Sequence, residues 1–364
     1  MDRRRFFAAA AGAATTCFGC GMRGAFAQPA TGGQRRRIEI DGKRAQVIDV
    51  HCHCAIPEAL DVVKGTPLEA RVAGTLKSPY NNPTLETRLA VMDQQGIDIE
   101  AISINEYWYG AERDLASRLM DVQNEKLAQM CKASQGRLVG FSSVALQFPE
   151  LAAEQMEIAI KQMGLHGAAI GPTVNGLELS DKRFDPFWAK AEELDALLFM
   201  HPQDSSVATG IDNRSKGSGY LENTIGNPLE TTIGLSHMIF EGVFDRFPKL
   251  KICGAHGGGY LPSYVDRSDA VCVAFPPRCT PGVPKLKPSE YFRKNIFVDS
   301  LVFTPEALRH LAVVCGPDRI MVGTDYGFPW VKDPAGHVLN TPGLSSADKV
   351  AILGGTASKL LGLG

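Results

Sequence analysis

The sequence predicts an α/β protein, specifically a (β/α)8 TIM barrel in which eight parallel strands alternate with helices. Short apolar runs of strand length recur along the chain, and segments with apolar residues at helical spacing separate them. A doubly wound open sheet is the alternative, but no Gly-rich phosphate-binding turn follows the first run. The runs cover residues 47–54, 99–104, 138–146, 165–171, 196–202, 250–258, 296–302 and 320–326.

The first 27 residues have the composition of an export signal. Arg3 and Arg4 precede a short run of small apolar residues, and Ala25-Phe26-Ala27 offers a cleavage site. The paired arginines resemble a twin-arginine signal, so we expect a periplasmic or secreted protein. An ordinary N-terminal helix and a lipid anchor at Cys20 are the alternatives. The expected organisation is a signal peptide over 1–27, a linker over 28–45 and a barrel domain over 46–364.

Composition and charge exclude several classes of partner. The chain of 364 residues is 44% hydrophobic, which is enough for a large core, and its formal net charge is −2. No basic patch indicates binding to nucleic acid, and no apolar run of the barrel domain is long enough to span a bilayer. The expected partner is therefore a small molecule. Seven of the nine cysteines would remain after removal of the signal, and we assign none of them chemistry, although a disulfide could form.

Polar side chains lie where four of the predicted strands end. His51 and His53 are two residues apart and project to the same side of a strand, whereas His201, His256 and Asp325 end the fifth, sixth and eighth strands. The C-terminal ends of barrel strands meet at one rim, so the five side chains converge there. Three imidazoles and the carboxylate could hold zinc, and the fourth histidine could act on a water molecule or on a substrate.

The end of the fourth strand indicates how many metal ions to expect. Its sequence, LHGAAIGPT, contains neither a lysine nor a glutamate that could bridge two metal ions. A site with one divalent metal ion is therefore the simpler interpretation.

Three further segments carry a resemblance to a known family. They read FDPFWAKAEELDALLFMHP, NPLETTIGLSHMIFEGVFDRFPKLKICGAHGGGYLPSYVDR and IMVGTDYGFP. Together with the paired histidines they resemble the metal-dependent amidohydrolase superfamily, and most of all its aminocarboxymuconate-semialdehyde decarboxylase group. The resemblance extends over residues 46 to about 335.

This resemblance implies a role for each residue at the rim. By comparison with the family, His51, His53, His201 and Asp325 bind a single divalent metal ion, usually zinc, although manganese is possible. His256, in the AHGGG motif, is then a catalytic residue beside the metal and not a ligand, and we expect Asp325 to take part in the chemistry as well.

Arg267 is the substrate-binding residue that the resemblance implies. It follows His256 by eleven positions and matches an arginine that reaches across a dimer interface to the substrate carboxylate of the neighbouring subunit. A homodimer is therefore expected. The alternative is an ordinary surface salt bridge, which is common for arginine.

The substrate pocket departs from the family pattern. Gln203 and Gly327 stand where tryptophan and proline are usual, so the pocket has changed. A second basic residue that binds the substrate could be Arg71, Lys77 or Arg88, and the sequence does not select among them.

The function that follows is non-oxidative, metal-dependent decarboxylation, a carboxy-lyase reaction, of a small unsaturated or aromatic carboxylate. Such a reaction needs a group that stabilises the electrons left on carbon and an acid that protonates this carbon. The alternative is a hydrolase of an ester, lactone or amide, because the same ligands would serve it. A third reading is a metal- or ligand-binding protein that uses the barrel without catalysis.

Overall fold

All eight predicted strands are present and parallel in the computed structural model, which describes residues 35–77, 83–203, 214–279 and 284–363. They form two sheets, in the order β1–β2–β3 and β4–β5–β6–β7–β8. The strands are β1 (Ile48–His53), β2 (Ile99–Ser103), β3 (Leu138–Gly140), β4 (Gly167–Ile170), β5 (Leu197–Met200), β6 (Lys251–Gly254), β7 (Ile296–Asp299) and β8 (Ile320–Met321).

Isolated parallel bridges join the two sheets at both seams. Ser142, just after β3, pairs with Ala168 of β4, and Asp49 of β1 pairs with Val322, just after β8. The amide of Ser142 donates to Gly167 and that of Val50 to Val322, each at 2.8 Å. The strands therefore form a closed ring, and the predicted barrel fold is confirmed.

Helices follow the strands and cover the outside of the ring. Several begin where the sequence favours it: Thr84 caps the third helix by accepting from the amide of Thr87, and a proline starts the fifth. They are α1 (Ala59–Val62), α2 (Glu69–Lys77), α3 (Leu85–Gln95), α4 (Arg113–Ala133), α5 (Pro149–Met163), α6 (Asp185–Glu193), α7 (Asn227–Phe240), α8 (Val243–Arg246), α9 (Val265–Ala274), α10 (Pro288–Phe292), α11 (Pro305–Val314), α12 (Pro334–Leu339), α13 (Ser346–Val350) and α14 (Thr356–Leu361).

Two apolar clusters form the core. One lies inside the ring and receives side chains from all eight strands, and the other lies between the strands and the helices. The pairing of β1 with β2 shifts register between Asp49 and Cys52. Val50 belongs to the inner cluster and Cys52 to the outer one, so this irregularity directs His51, like Val50, towards the centre of the barrel.

The predicted linker is folded in the part that the structure describes. Residues 39–40 and 43–44 form an antiparallel hairpin, and Ile38 and Ala45 beside it are buried. The guanidinium of Arg44 lies 2.5 Å from the carboxylate of Asp98, which also pairs with Arg35. Apolar contacts and ion pairs therefore hold residues 35–45, the described part of the predicted linker, on the barrel. Residues 1–34, which include the predicted signal peptide, lie outside the described residues.

Cys272, in the last turn of α9, forms a disulfide with Cys279, which lies beyond the end of this helix. The other cysteines of the described segments are free thiols, and Cys253 and Cys315 are buried among apolar side chains, as small hydrophobic residues commonly are. A search of the described helices finds none with the length and apolar character needed to cross a membrane.

Candidate active site

The five predicted side chains meet at the C-terminal rim of the barrel. The ring centroid of His51 lies 5.1 Å from each of the ring centroids of His53, His201 and His256. The ring centroids of His53 and His201 are 4.6 Å apart. The Oδ1 atom of Asp325 lies 2.8 Å from Nε2 of His53 and 3.3 Å from Nε2 of His51. The structure thus brings together residues that are up to 274 positions apart in the chain.

Four of these residues offer their ligand atoms to one point. One atom each from His51, His53, His201 and Asp325 lies within 4.8 Å of the other three, and all four residues are buried. The Nε2 atoms of His51 and His53 face each other at 3.2 Å and share the Asp325 carboxylate oxygen. Three imidazoles and one carboxylate in this arrangement are a donor set that suits a divalent transition metal. The described residues therefore fit a site for one divalent metal ion.

The neutral imidazole, which is the form that binds a metal, is favoured for His201 and His53, whereas the charged form is favoured for His51. Burial, reinforced by His53 and His51, holds the pKa of His201 well below its ordinary value, and burial also lowers the pKa of His53. Burial opposes a charge on His51 as well, but Asp325 and Asp299 outweigh it and raise the pKa of His51 to about 10. The charged imidazole of His51 would carry one proton at Nδ1, facing Asp299, and one at Nε2, facing Asp325, and a divalent cation would replace the proton at Nε2.

Asp299, at the end of β7, organises the site although sequence reasoning missed it. Its fully buried carboxylate accepts a hydrogen bond from Nδ1 of His51 at 2.7 Å. It also accepts from the backbone amides of His256 at 2.9 Å, Gly257 at 2.8 Å and Leu301 at 3.0 Å. Asp299 therefore fixes the tautomer and the orientation of His51, as carboxylates behind metal-binding histidines do. Its position at the end of the run IFVDS was the available signal.

Room for this contact depends on Gly323, which follows β8. A Cβ atom on Gly323 would lie 2.6 Å from Cβ of Asp299 and 3.1 Å from Cβ of His51. Any side chain at this position would therefore separate Asp299 from the imidazole that it holds.

His256 and Asp325 occupy the left-handed region of backbone conformation, with φ of 57° and 58°. This region is uncommon for residues other than glycine and is often found at functional sites. Nε2 of His256 lies 3.9 Å from Oδ2 of Asp325, and its side chain is 14% exposed, more than any of the four ligands. His256 therefore stands at the edge of the metal site, where it can meet a substrate.

Asp49, Cys52 and Glu100 form a second group of potential ligand atoms, on the outer side of β1 and β2. Both carboxylates are already engaged: Asp49 accepts from the hydroxyl of Thr324 at 2.5 Å, and Glu100 accepts from Arg88 at 2.6 Å. The guanidinium of Arg88 already supplies the positive charge that a metal ion would bring. We therefore interpret the group of Asp49, Cys52 and Glu100 as structural.

Two chambers open beside the metal site. The arginine chamber, of about 120 Å³, is lined by His53, Ile56, Arg71, Thr75, Tyr107 and Gln123, among others. The aspartate chamber, of about 220 Å³, is lined by His201, Tyr220, Asn223, Asn227, Asp325 and Phe328, among others. Asn105 and Gln203 line both chambers and thus connect them.

The three basic residues that could bind the substrate have different environments. Arg71 lines the arginine chamber, whereas Arg88 is buried, pairs with Glu100 and donates to the backbone oxygen of His53. Lys77 is exposed and lines neither chamber. Arg71 is therefore the one of the three that is placed to contact a substrate. Arg267 is exposed on α9 and lines neither chamber of its own subunit.

A family model for amidohydrolases matches residues 48–363. The chain belongs to the amidohydrolase family. It is 31% identical to 2-amino-3-carboxymuconate-6-semialdehyde decarboxylase of Dictyostelium discoideum, over 87% of this chain and 84% of that protein. This finding confirms the resemblance inferred from the sequence motifs.

Solved structures of the amidohydrolase family share the fold. 5-Carboxyvanillate decarboxylase from Sphingomonas paucimobilis superposes with a TM-score of 0.75 at 26% identity, over 87% of this chain and 99% of that one. Dihydroxybenzoic acid decarboxylase from Polaromonas, crystallised with manganese and the inhibitor 2-nitroresorcinol, gives a TM-score of 0.73 at 27% identity, over 88% and 97% of the two chains.

Replacement of one ligand should separate metal binding from catalysis. We predict that His201→Ala loses most of its metal, because three remaining ligands bind a divalent ion far more weakly than four. His256→Asn, the matched control, should retain about one equivalent per chain because His256 lies outside the ligand set. Elemental analysis of protein purified without added metal measures both. Loss of metal from His256→Asn, or two equivalents in the unmodified protein, would contradict the assignment.

Proposed function

We propose that the chain is a metal-dependent, non-oxidative decarboxylase of a small aromatic or unsaturated carboxylate. The observation that carries the proposal is the buried ligand set of three histidines and Asp325, with His256 at its edge, in a chain whose relatives are named decarboxylases. These names favour carbon–carbon bond cleavage over hydrolysis, although the same ligands would serve a hydrolase. The reaction breaks the bond to the carboxylate carbon, releases carbon dioxide and places a proton on the carbon left behind.

Different residues of the site would carry out the different parts of this reaction. His51, His53, His201 and Asp325 would hold the metal, which when bound polarises an oxygen of the substrate. His256 would hold a proton at Nε2, the atom that faces Asp325, and deliver it to the carbon that loses the carboxylate. The carboxylate of Asp325, 3.9 Å from that nitrogen, would stabilise a positive charge on the imidazole. Arg71, on the wall of the arginine chamber, would attract the anionic substrate.

The metal is proposed to be one divalent ion, zinc or manganese. Three imidazoles and a carboxylate are common ligands for zinc, and the Polaromonas relative was crystallised with manganese.

Release of carbon dioxide tests the function directly. We expect metal-loaded protein to convert 2,6-dihydroxybenzoate, or a related aromatic or muconate-type acid, with one carbon dioxide per molecule of acid consumed. His256→Asn should reduce kcat by roughly a hundredfold to ten-thousandfold, since it removes the general acid. Carbon dioxide can be followed by a coupled assay and the acid by chromatography. Consumption of an ester, lactone or amide without carbon dioxide would favour the hydrolase.

A homodimer with shared active sites is the second part of the proposal. Arg267 lies on α9, and large apolar side chains are exposed at both ends of this helix: Tyr264 is 65%, Val273 83% and Phe275 62% exposed. Exposed large apolar side chains are common in the surfaces that form protein interfaces. The disulfide between Cys272 and Cys279 stabilises the C-terminal end of this helix. A second copy of the chain would cover these side chains, and Arg267 would then reach the substrate carboxylate in the neighbouring site, where its planar guanidinium can bond both oxygens.

Two inactive variants should restore activity in one dimer. Arg267→Ala chains and His256→Asn chains, co-expressed in equal amounts, should give about a quarter of the normal activity, because half of the dimers are mixed and each mixed dimer keeps one complete site. Arg267→Lys should weaken substrate use while metal content stays unchanged. A monomer in solution, or purified mixed dimers without activity, would refute the shared site.

Export by the twin-arginine route, with a periplasmic or secreted mature protein, is the third part. The proposal is supported by Arg3 and Arg4 ahead of a small-residue apolar run and by the disulfide, since disulfides persist in oxidising compartments.

Lysine in place of both Arg3 and Arg4 should keep the precursor in the cytoplasm, because the twin-arginine machinery requires the guanidinium pair. Fractionation followed by immunoblotting measures the ratio of precursor to mature protein, with Arg5→Lys as the control. Normal export of the double variant would exclude this route.

A further inference from the structure

Two amide side chains at the junction of the two chambers carry hydrogen-bonding atoms that no described residue satisfies. Oδ1 of Asn105 and Nε2 of Gln203 are both buried and lack a partner within the described segments. Asn105 follows β2 and Gln203 follows β5, so both stand on the rim that carries the metal ligands. Buried polar atoms in folded proteins are nearly always hydrogen-bonded, and an unsatisfied pair in a cavity indicates a polar ligand.

Two features define the position of the Gln203 side chain. The backbone N–H of Gln203 donates to Oε2 of Glu230 at 3.1 Å, which fixes the point where the side chain begins. Gly171, at the end of β4, leaves the space that the amide occupies: a Cβ atom there would lie 1.8 Å from Nε2 of Gln203. The fold thus keeps a buried donor beside the cavity, on a residue that lines it, and this donor makes no bond within the described part of the protein.

We propose that Asn105 and Gln203 form a subsite that recognises a hydroxyl group on the substrate, apart from its carboxylate. The inference rests on the proposed decarboxylase function and extends it to the choice of substrate. Oδ1 of Asn105 can only accept and Nε2 of Gln203 can only donate, and a hydroxyl can donate to the first and accept from the second.

Other substrate groups fit this pair less well. A carboxylate only accepts, so it would face the oxygen of Asn105 without a proton between them. An ammonium group only donates and would leave Gln203 unsatisfied, and a hydrogen or methyl group would leave both atoms unsatisfied. A site built to bond a hydroxyl discriminates strongly against the analogue that lacks it, because its own buried polar atoms are then left unpaired.

The experiment compares acids that differ by one hydroxyl. Dissociation constants of 2,3-, 2,4-, 2,5- and 2,6-dihydroxybenzoate and of 2-hydroxybenzoate are measured by calorimetry on metal-loaded His256→Asn protein, in which we expect turnover to be slowed at least about a hundredfold. At least one dihydroxy isomer should bind roughly five- to a hundredfold tighter than 2-hydroxybenzoate. In the same background, Gln203→Met and Asn105→Leu should reduce this ratio towards one, while the affinity for 2-hydroxybenzoate changes little.

Two further variants distinguish a polar subsite from general damage to the pocket. Gly171→Ala leaves Gln203 in the chain but displaces its amide, so it should lower the ratio as Gln203→Met does. Thr75→Val, the matched control, alters the same chamber at a hydroxyl that already donates to the backbone oxygen of Arg71 at 3.1 Å, so the ratio should stay as in the parent protein. Equal affinities for all five acids, or a ratio that survives Gln203→Met and Asn105→Leu, would overturn the proposal.

The outcome is separable from that of the proposed function. If the unmodified enzyme releases no carbon dioxide from these acids yet shows the hydroxyl preference in binding, the subsite stands and the decarboxylase assignment fails. If it releases carbon dioxide without any hydroxyl preference, the assignment stands and the subsite fails.

Discussion

The buried carboxylate of Asp299 is the contact on which the geometry of the site depends. It bonds the imidazole of His51 on β1 and the backbone of the turn that carries His256 after β6. A carboxylate without exposure to water is costly unless several donors surround it, and here four donors do. One residue therefore sets the distance between the metal site and the residue proposed to protonate the substrate.

A second buried charge supports the site from the outer side of the barrel. Arg88 pairs with Glu100, donates to the backbone oxygen of His53 and lies over the ring of Tyr326, with 4.7 Å between guanidinium carbon and ring centroid. It thus links α3 to the C-terminal end of β1, to the start of β2 and to the segment after β8. Because a guanidinium offers several donors in one plane, it can hold these elements at once, which explains why it is buried and paired instead of free to bind substrate.

The residues proposed for chemistry and those proposed for specificity lie in different parts of the rim. The metal ligands lie at the ends of strands, whose positions the closed ring fixes, whereas Arg71 lies on a helix of a connecting segment and Asn105 and Gln203 begin connecting segments. Relatives of the amidohydrolase family share the fold with this chain and are named for different acids. Variation in connecting segments on a constant barrel accounts for such a pattern.

The sequence by itself determined the barrel, the rim and the candidate metal ligands, because strand and helix periodicity are local and His51, His53, His201 and Asp325 each end a strand. It did not reveal Asp299, whose partners are 248 and 43 positions away, or the hairpin over residues 39–44, whose stability comes from Asp98 and the barrel surface. Nor could the sequence choose among Arg71, Lys77 and Arg88. In the structure Arg71 lines a chamber, Lys77 is exposed and Arg88 is buried in an ion pair. Long-range packing decided these features, because burial and pairing depend on which distant segments the closed ring brings together.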